Sequence, residues 1–144
     1  MSEKKILDMT AGSRSIWFDK HQKSTVYLDR RDEELMLFFG KKGTSPHTLN
    51  VHPDIIADFT ALPFEDETFS LVVFDPPHLL KARESAWLVK KYGKLESDWP
   101  TMLRDGFLEG MRVLKPDGVL IFKWSEYDIP AESVWKAIGE RPLF

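Results

Sequence analysis

Five short aliphatic runs recur along the chain, and four of them stop at an aspartate. They are Ile6-Leu7 before Asp8, Val26-Tyr27-Leu28 before Asp29, Ile55-Ile56-Ala57 before Asp58 and Leu71-Val72-Val73-Phe74 before Asp75; the fifth, from Val119 to Phe122, stops at Lys123. Runs of this length, rich in β-branched residues and bounded by turn formers, read as strands. Their hydrophobicity is nearly continuous rather than alternating, which is the pattern of strands buried on both faces in a parallel sheet covered by helices. Open sheets of that kind bind ligands outside the carboxyl ends of their strands. A row of acids at those ends is therefore expected to face a ligand.

The segments between the runs fit this plan. A helix is predicted over 98–114, where Ser97 or Asp98 can cap, Pro100 suits the first turn, and Leu103, Phe107, Met111 and Leu114 repeat along one face. Lys115-Pro116-Asp117-Gly118 is expected to end that helix and turn the chain into the Val119 strand. A second helix is predicted from Pro130 to Ile138, stopped by Gly139, and a third, short one after Gly12. Around residues 33–51, the apolar run Leu35 to Phe39, then Gly40-Lys41-Lys42-Gly43, then Thr44 to Val51 read as a hairpin insertion rather than a helix. With 144 residues the chain suits one domain, 1–144, and two independent cores are not expected.

Composition narrows the chemistry. The apolar runs fall far short of the roughly 18–20 residues that cross a bilayer, and Met1-Ser2-Glu3-Lys4-Lys5 lacks the apolar stretch of a signal peptide, so a cytoplasmic protein without a membrane partner is expected. With no cysteine and four scattered histidines, thiolate chemistry and Cys- or His-bound metal are not expected. The net charge of −3 is unevenly spread: residues 81–94 hold five bases and one acid, with Trp87 and Tyr92 among them.

Two stretches carry candidate chemistry. In the first, Asp8-Met9-Thr10-Ala11-Gly12-Ser13-Arg14, a strand enters a small-residue loop that lets a ligand approach the backbone. Asp29 lies 21 residues beyond Asp8 at the end of the second strand, where an acid can accept hydrogen bonds from both hydroxyls of a ribose; the alternative is a capped turn with an exposed acid. The second stretch is Asp75-Pro76-Pro77-His78. A carboxylate plus a proline carbonyl in a stiff loop offers two acceptors to an amino group, and a histidine ring can stack on a flat base. Its alternative is a rigid strand-ending turn with a solvated histidine.

Together these stretches resemble the class I S-adenosylmethionine-dependent methyltransferases. Asp75-Pro76-Pro77-His78 is similar to the D/N-P-P-Y/F/W motif of members that methylate exocyclic amino groups in nucleic acids, Asp8 to Arg14 to their D-P-F-x-G-S-G loop, and Lys115-Pro116-Asp117-Gly118 to the L-K-P-G-G turn before their fifth strand. The likeness covers residues 5–124. It implies a Rossmann-like three-layer α/β/α sandwich with a mostly parallel sheet. It also implies S-adenosyl-L-methionine as cofactor, held by Asp8, Thr10, Ala11, Gly12, Ser13, Arg14, Asp29, Asp58 and Phe59. The methionine part would lie on the Asp8–Ser13 loop, the ribose on Asp29 and the adenine beside Asp58 and Phe59; the alternative for Asp58 is a cap of the next turn. Asp75, Pro76, Pro77 and His78 would then hold the target amine, adenine N6 or cytosine N4, and no metal is called for.

The sequence departs from that pattern in three places. Arg14 replaces the second glycine of the loop, and can serve as a cation for the methionine carboxylate or as a surface ion-pair partner. His78 replaces the usual aromatic ring, which makes stacking weaker and pH-dependent. The family's closing antiparallel strands have no counterpart before Phe144, so the expectation is either that the C-terminal strands are missing because the chain is shortened there or that a partner subunit or oligomer completes the sheet. The basic stretch 81–94 reads either as a flap that meets DNA or RNA phosphates while Trp87 or Tyr92 stacks on a base, or as a helix with Trp87 in the core. Functions in other classes are methyl transfer to RNA or a small molecule, a nicotinamide-dependent oxidoreductase, and a non-catalytic nucleotide-binding module.

Overall fold

A computed structural model describes residues 3–39, 45–83 and 86–144. Strands β1 (Ile6–Asp8), β2 (Thr25–Asp29), β5 (Ile55–Ile56), β6 (Phe69–Phe74) and β7 (Leu114–Phe122) form one sheet in the order β5-β2-β1-β6-β7, every neighbouring pair parallel. The fold is Rossmann-like α/β. The chain leaves β1 toward β2 and β5 on one side and returns to β6 and β7 on the other, so the strand order reverses between β1 and β6. Such a reversal opens a crevice at the carboxyl ends of the two strands.

Side chains alternate across the sheet. Leu7, Val26, Val72 and Leu120 share one face, and Phe74 and Phe122 extend it. Helices α2 (Trp99–Val113) and α3 (Ala131–Ile138) cover this face, with Leu103, Val113, Val134 and Ile138 in a common core with Leu7, Val26, Val72 and Phe74. On the other face, Trp17 packs edge-on against Tyr27 at 5.4 Å. Residues 9–24 form turns there, not the helix expected after Gly12. Arg14 stands in the left-handed region at φ +58°, which interrupts a right-handed helix at its start.

The expected helix over 98–114 ends one residue sooner, at Val113, with Pro100 in its first turn. Leu114 already belongs to β7. It pairs with Phe69, while Val119 pairs with Leu71, so Lys115-Pro116-Asp117-Gly118 bulges from within the strand opposite Ser70. The helix α3 ends as expected at Gly139, in the left-handed conformation at φ +84°. The 33–51 segment is an antiparallel pair, β3 (Glu33–Phe39) with β4 (Ser45–Val51); its turn, Gly40-Lys41-Lys42-Gly43, lies outside the described residues. No helix among the described residues is long and apolar enough to cross a membrane.

Residues of α2 place the segment after β5. Arg112 on α2 donates to the carbonyls of Phe64 at 2.8 Å and Leu62 at 3.1 Å, and Glu109 accepts the Leu62 N–H at 2.7 Å. Phe59 then lies against Phe74 and directly over Gly106, where a Cβ would stand 2.5 Å from the Phe59 ring and 2.8 Å from Phe74. Gly106→Ala is expected to cost about 1–3 kcal/mol through overpacking and to displace Phe59. Denaturant unfolding checks the loss, and an unchanged midpoint would show that the helix can back away freely.

Candidate functional site

The carboxyl ends of four adjacent strands carry Asp29, Asp8, Asp75 and Lys123 side by side. Asp8 closes β1 and is buried; its Oδ1 accepts the Thr10 N–H at 3.1 Å and its Oδ2 the Trp17 Nε1–H at 2.7 Å. The loop after it turns at Gly12, whose φ of +51° favours glycine. Gly12 N–H donates to Asp29 Oδ2 at 2.8 Å, and Thr10 Oγ1 accepts the Asp75 N–H at 2.7 Å. The loop is thus fastened to both neighbouring strand ends. One cleft runs along it, lined by Asp8, Thr10, Ala11, Gly12, Ser13, Asp29, Phe59, Asp75 and Pro77.

Four expected site residues do not line that cleft. Arg14 turns onto the outer sheet face, where it donates to the carbonyls of Lys20 at 2.7 Å and His52 at 2.8 Å and lies 3.9 Å from the Tyr27 ring centroid. It is a structural cation, not a partner for a ligand carboxylate in the cleft. Asp58 is exposed, and its Oδ1 accepts the Thr60 N–H and hydroxyl at 2.8 and 2.7 Å, so it closes a turn, while Ala57 and Phe59 beside it face the cleft. Pro76 is buried and His78 half-buried, and neither is among the residues that line the cleft.

Arg31 is a site residue that sequence reasoning missed. Its backbone N–H and Nε donate to Asp29 Oδ1 at 2.9 and 3.2 Å. The guanidinium also donates to the carbonyls of Lys90 at 2.9 Å and Lys91 at 3.3 Å in helix α1 (Trp87–Tyr92). The 81–94 stretch is therefore a tethered excursion: Leu95 N–H bonds the Leu79 carbonyl at 2.7 Å, Asp128 accepts the N–H groups of Leu80 and Lys81, and Arg31 pins its far side. Lys91, Tyr92, Gly93 and Lys94 form one wall of the cleft. Trp87 is 43% exposed, and Val89 is the buried member of the helix. Glu84 and Ser85 lie outside the described residues.

At the other end, Asp75 Oδ2 accepts from Lys123 Nζ at 3.3 Å. Burial raises the Asp75 carboxyl above its usual range, against the lowering effect of the Lys123 charge. Burial holds the His78 ring below its ordinary 6.5, which favours its neutral form. His78 sits between Tyr92 at 5.9 Å and Trp124 at 6.3 Å, an aromatic group beside Asp75.

Burial pushes Asp8 up to about 6 from 3.8, more than its bonds from Trp17 and Thr10 lower it. The folded chain thus holds a proton that the unfolded chain releases at lower pH. Stability from this group is complete below pH 3.8 and is lost as pH rises through about 6, a change of about 3 kcal/mol. The Asp8 carboxyl resonance is expected to titrate near 6; a midpoint near 4 would show an ordinary solvated acid.

No family model and no curated protein matches the chain. One solved structure, the PH0226 protein from Pyrococcus horikoshii, is similar at 17% identity with a TM-score of 0.49, over 96% of this chain and 53% of that one. The chain thus spans about half the length of that relative.

Proposed function

We propose that the protein is an S-adenosylmethionine-dependent methyltransferase that acts on an exocyclic amino group of a nucleic-acid base. One observation carries this reading: across the strand-order reversal, a single cleft joins the Gly12–Asp29 pair to the Asp75–Pro77 loop. The first suits a nucleoside and the second an amine.

The residues fit the cofactor by their chemistry. Asp29 has about four acceptor positions and uses three, so it keeps one on Oδ2 for a ribose hydroxyl. The long bond from Arg31 Nε can yield for the second hydroxyl. Phe59 and Ala57 offer an apolar wall to a purine. Asp8, beneath the loop, would become fully ionised beside a ligand ammonium, so binding should release a proton below about pH 6.

When bound, S-adenosylmethionine would supply an electrophilic methyl on a sulfonium; the amine nitrogen would form the new C–N bond as the C–S pair stays on the departing thioether, and one N–H proton would pass to solvent. Asp75, which lines the cleft, would hold the amino group so that its lone pair, otherwise delocalised into the ring, faces the methyl, and the buried Pro76 would keep the loop stiff. Positioning is then the main catalytic contribution, with effective molarities reaching about 10⁵–10⁸ M. Tyr92, His78 and Trp124 provide ring faces for a base removed from its stack. Lys81, Arg83 and Lys90 of the 81–94 stretch are exposed and suit backbone phosphates.

Calorimetry with S-adenosylmethionine, its demethylated product and NAD tests the cofactor assignment. Binding of the first two is expected, and binding of NAD alone would contradict it.

A further inference from the structure

The fifth strand run ends in lysine where its neighbours end in aspartate, and the fold gives that difference a place. Phe74 and Phe122 are register partners, so the next residues, Asp75 and Lys123, emerge side by side, and the Lys123 N–H is bonded to the Phe74 carbonyl at 3.0 Å. The Lys123 side chain is 55% exposed, and its Nζ lies 3.3 Å from Asp75 Oδ2. An ammonium has three donors, so this bond leaves others directed outward. Among the described residues, Asp75 Oδ1 accepts no hydrogen bond. A hydrogen-bond acceptor and a cationic donor thus stand together beside the aromatic group of Tyr92, His78 and Trp124.

We infer that Lys123 is a specificity-determining residue that reads the ring nitrogen next to the target amine, while Asp75 receives the amine itself. This rests on the amino-methyltransferase reading above. The pair matches an edge with an amino group beside an unprotonated ring nitrogen. Adenine offers N6 with N1 or N7, and cytosine offers N4 with N3. On its pairing edge guanine places the N2 amine beside N1–H, which would set a donor against the lysine and leave Lys123 without an acceptor, and its other edge, N2 with N3, is flanked by the sugar on N9. A site built around such a bond rejects an analogue lacking it more strongly than an apolar pocket rejects a change of shape. Asp75 has a second effect through Lys123: held on Oδ2, the lysine leaves Oδ1 as the oxygen that faces the amine.

The test measures labelled methyl transfer from S-adenosylmethionine to single-stranded oligothymidylates carrying one adenine, cytosine or guanine. The accepted base is then compared with its carbon analogues, 1-deazaadenine and 7-deazaadenine, or 3-deazacytosine. In the wild type, adenine or cytosine is expected to accept label and guanine to fail. One ring-nitrogen replacement should lower kcat/KM about 10- to 100-fold, the range of one hydrogen bond to a charged group. Lys123→Met should lose a similar factor on the natural base and show no further loss on the analogue, while Lys123→Arg should restore the discrimination. Because the ratio is read on one preparation, partial misfolding does not change it. Equal nitrogen-to-carbon ratios in wild type and Lys123→Met, or preferred transfer to guanine, would overturn the role of Lys123. Failure of the wild type to label any base, or label found on ribose, would overturn the underlying amine reading before any variant is compared.

Discussion

Asp75→Ala is expected to bind S-adenosylmethionine as tightly as the wild type and to lose methyl transfer by about 10²–10³-fold, the cost of removing one preorganised group that acts on the reacting centre. Its backbone N–H bond to Thr10 survives the substitution, so the loop after β1 should keep its shape. The released Lys123 is more than half exposed and can be solvated, so little stability should be lost. Asp75→Asn retains an acceptor oxygen and is expected to recover part of the rate. Single-turnover transfer together with calorimetry checks the split. Wild-type transfer in Asp75→Ala would remove this carboxylate from the reaction.

Asp29→Ala should show the opposite split, with cofactor affinity falling about 100-fold. Two ribose hydroxyls would lose a charged acceptor, at about 1.5–3 kcal/mol for each bond, and part of this is regained through water. The Gly12 N–H would also lose its partner, and Arg31 its anchor between Asp29 and the carbonyls of α1. Amide exchange over 86–94 should therefore quicken in the same variant. Asp58→Ala provides the contrast: among the described residues that acid bonds only Thr60, and it stands outside the cleft, so affinity should stay within about twofold, given that exposed substitutions of this kind cost little. Equal losses from Asp29→Ala and Asp58→Ala would contradict the placement of the ribose.

The sheet was legible because buried parallel strands leave a local mark, a short apolar run with a polar stop. That mark located Asp8, Asp29 and Asp75, and their strand ends do meet in one cleft. It failed for Asp58, because β5 ends two residues earlier, at Ile56, and the chain has already turned outward. The helix expected after Gly12 failed because Arg14 adopts a left-handed conformation and its guanidinium is captured by carbonyls from two distant segments, a tertiary effect without a local signal. Arg31 was missed for the same reason: its partners in α1 lie 59 and 60 residues away. Lys123 was visible as the one basic strand stop, but its meaning depended on β7 lying beside β6 in register.

Methyl transfer to a base amine is tested most directly by tritium transfer from methyl-labelled S-adenosylmethionine into pooled DNA, RNA and small-molecule extracts, followed by nucleoside analysis. Label on an exocyclic nitrogen of a nucleic-acid base is the predicted result. Label confined to small molecules, or no incorporation by protein that binds the cofactor, would contradict it.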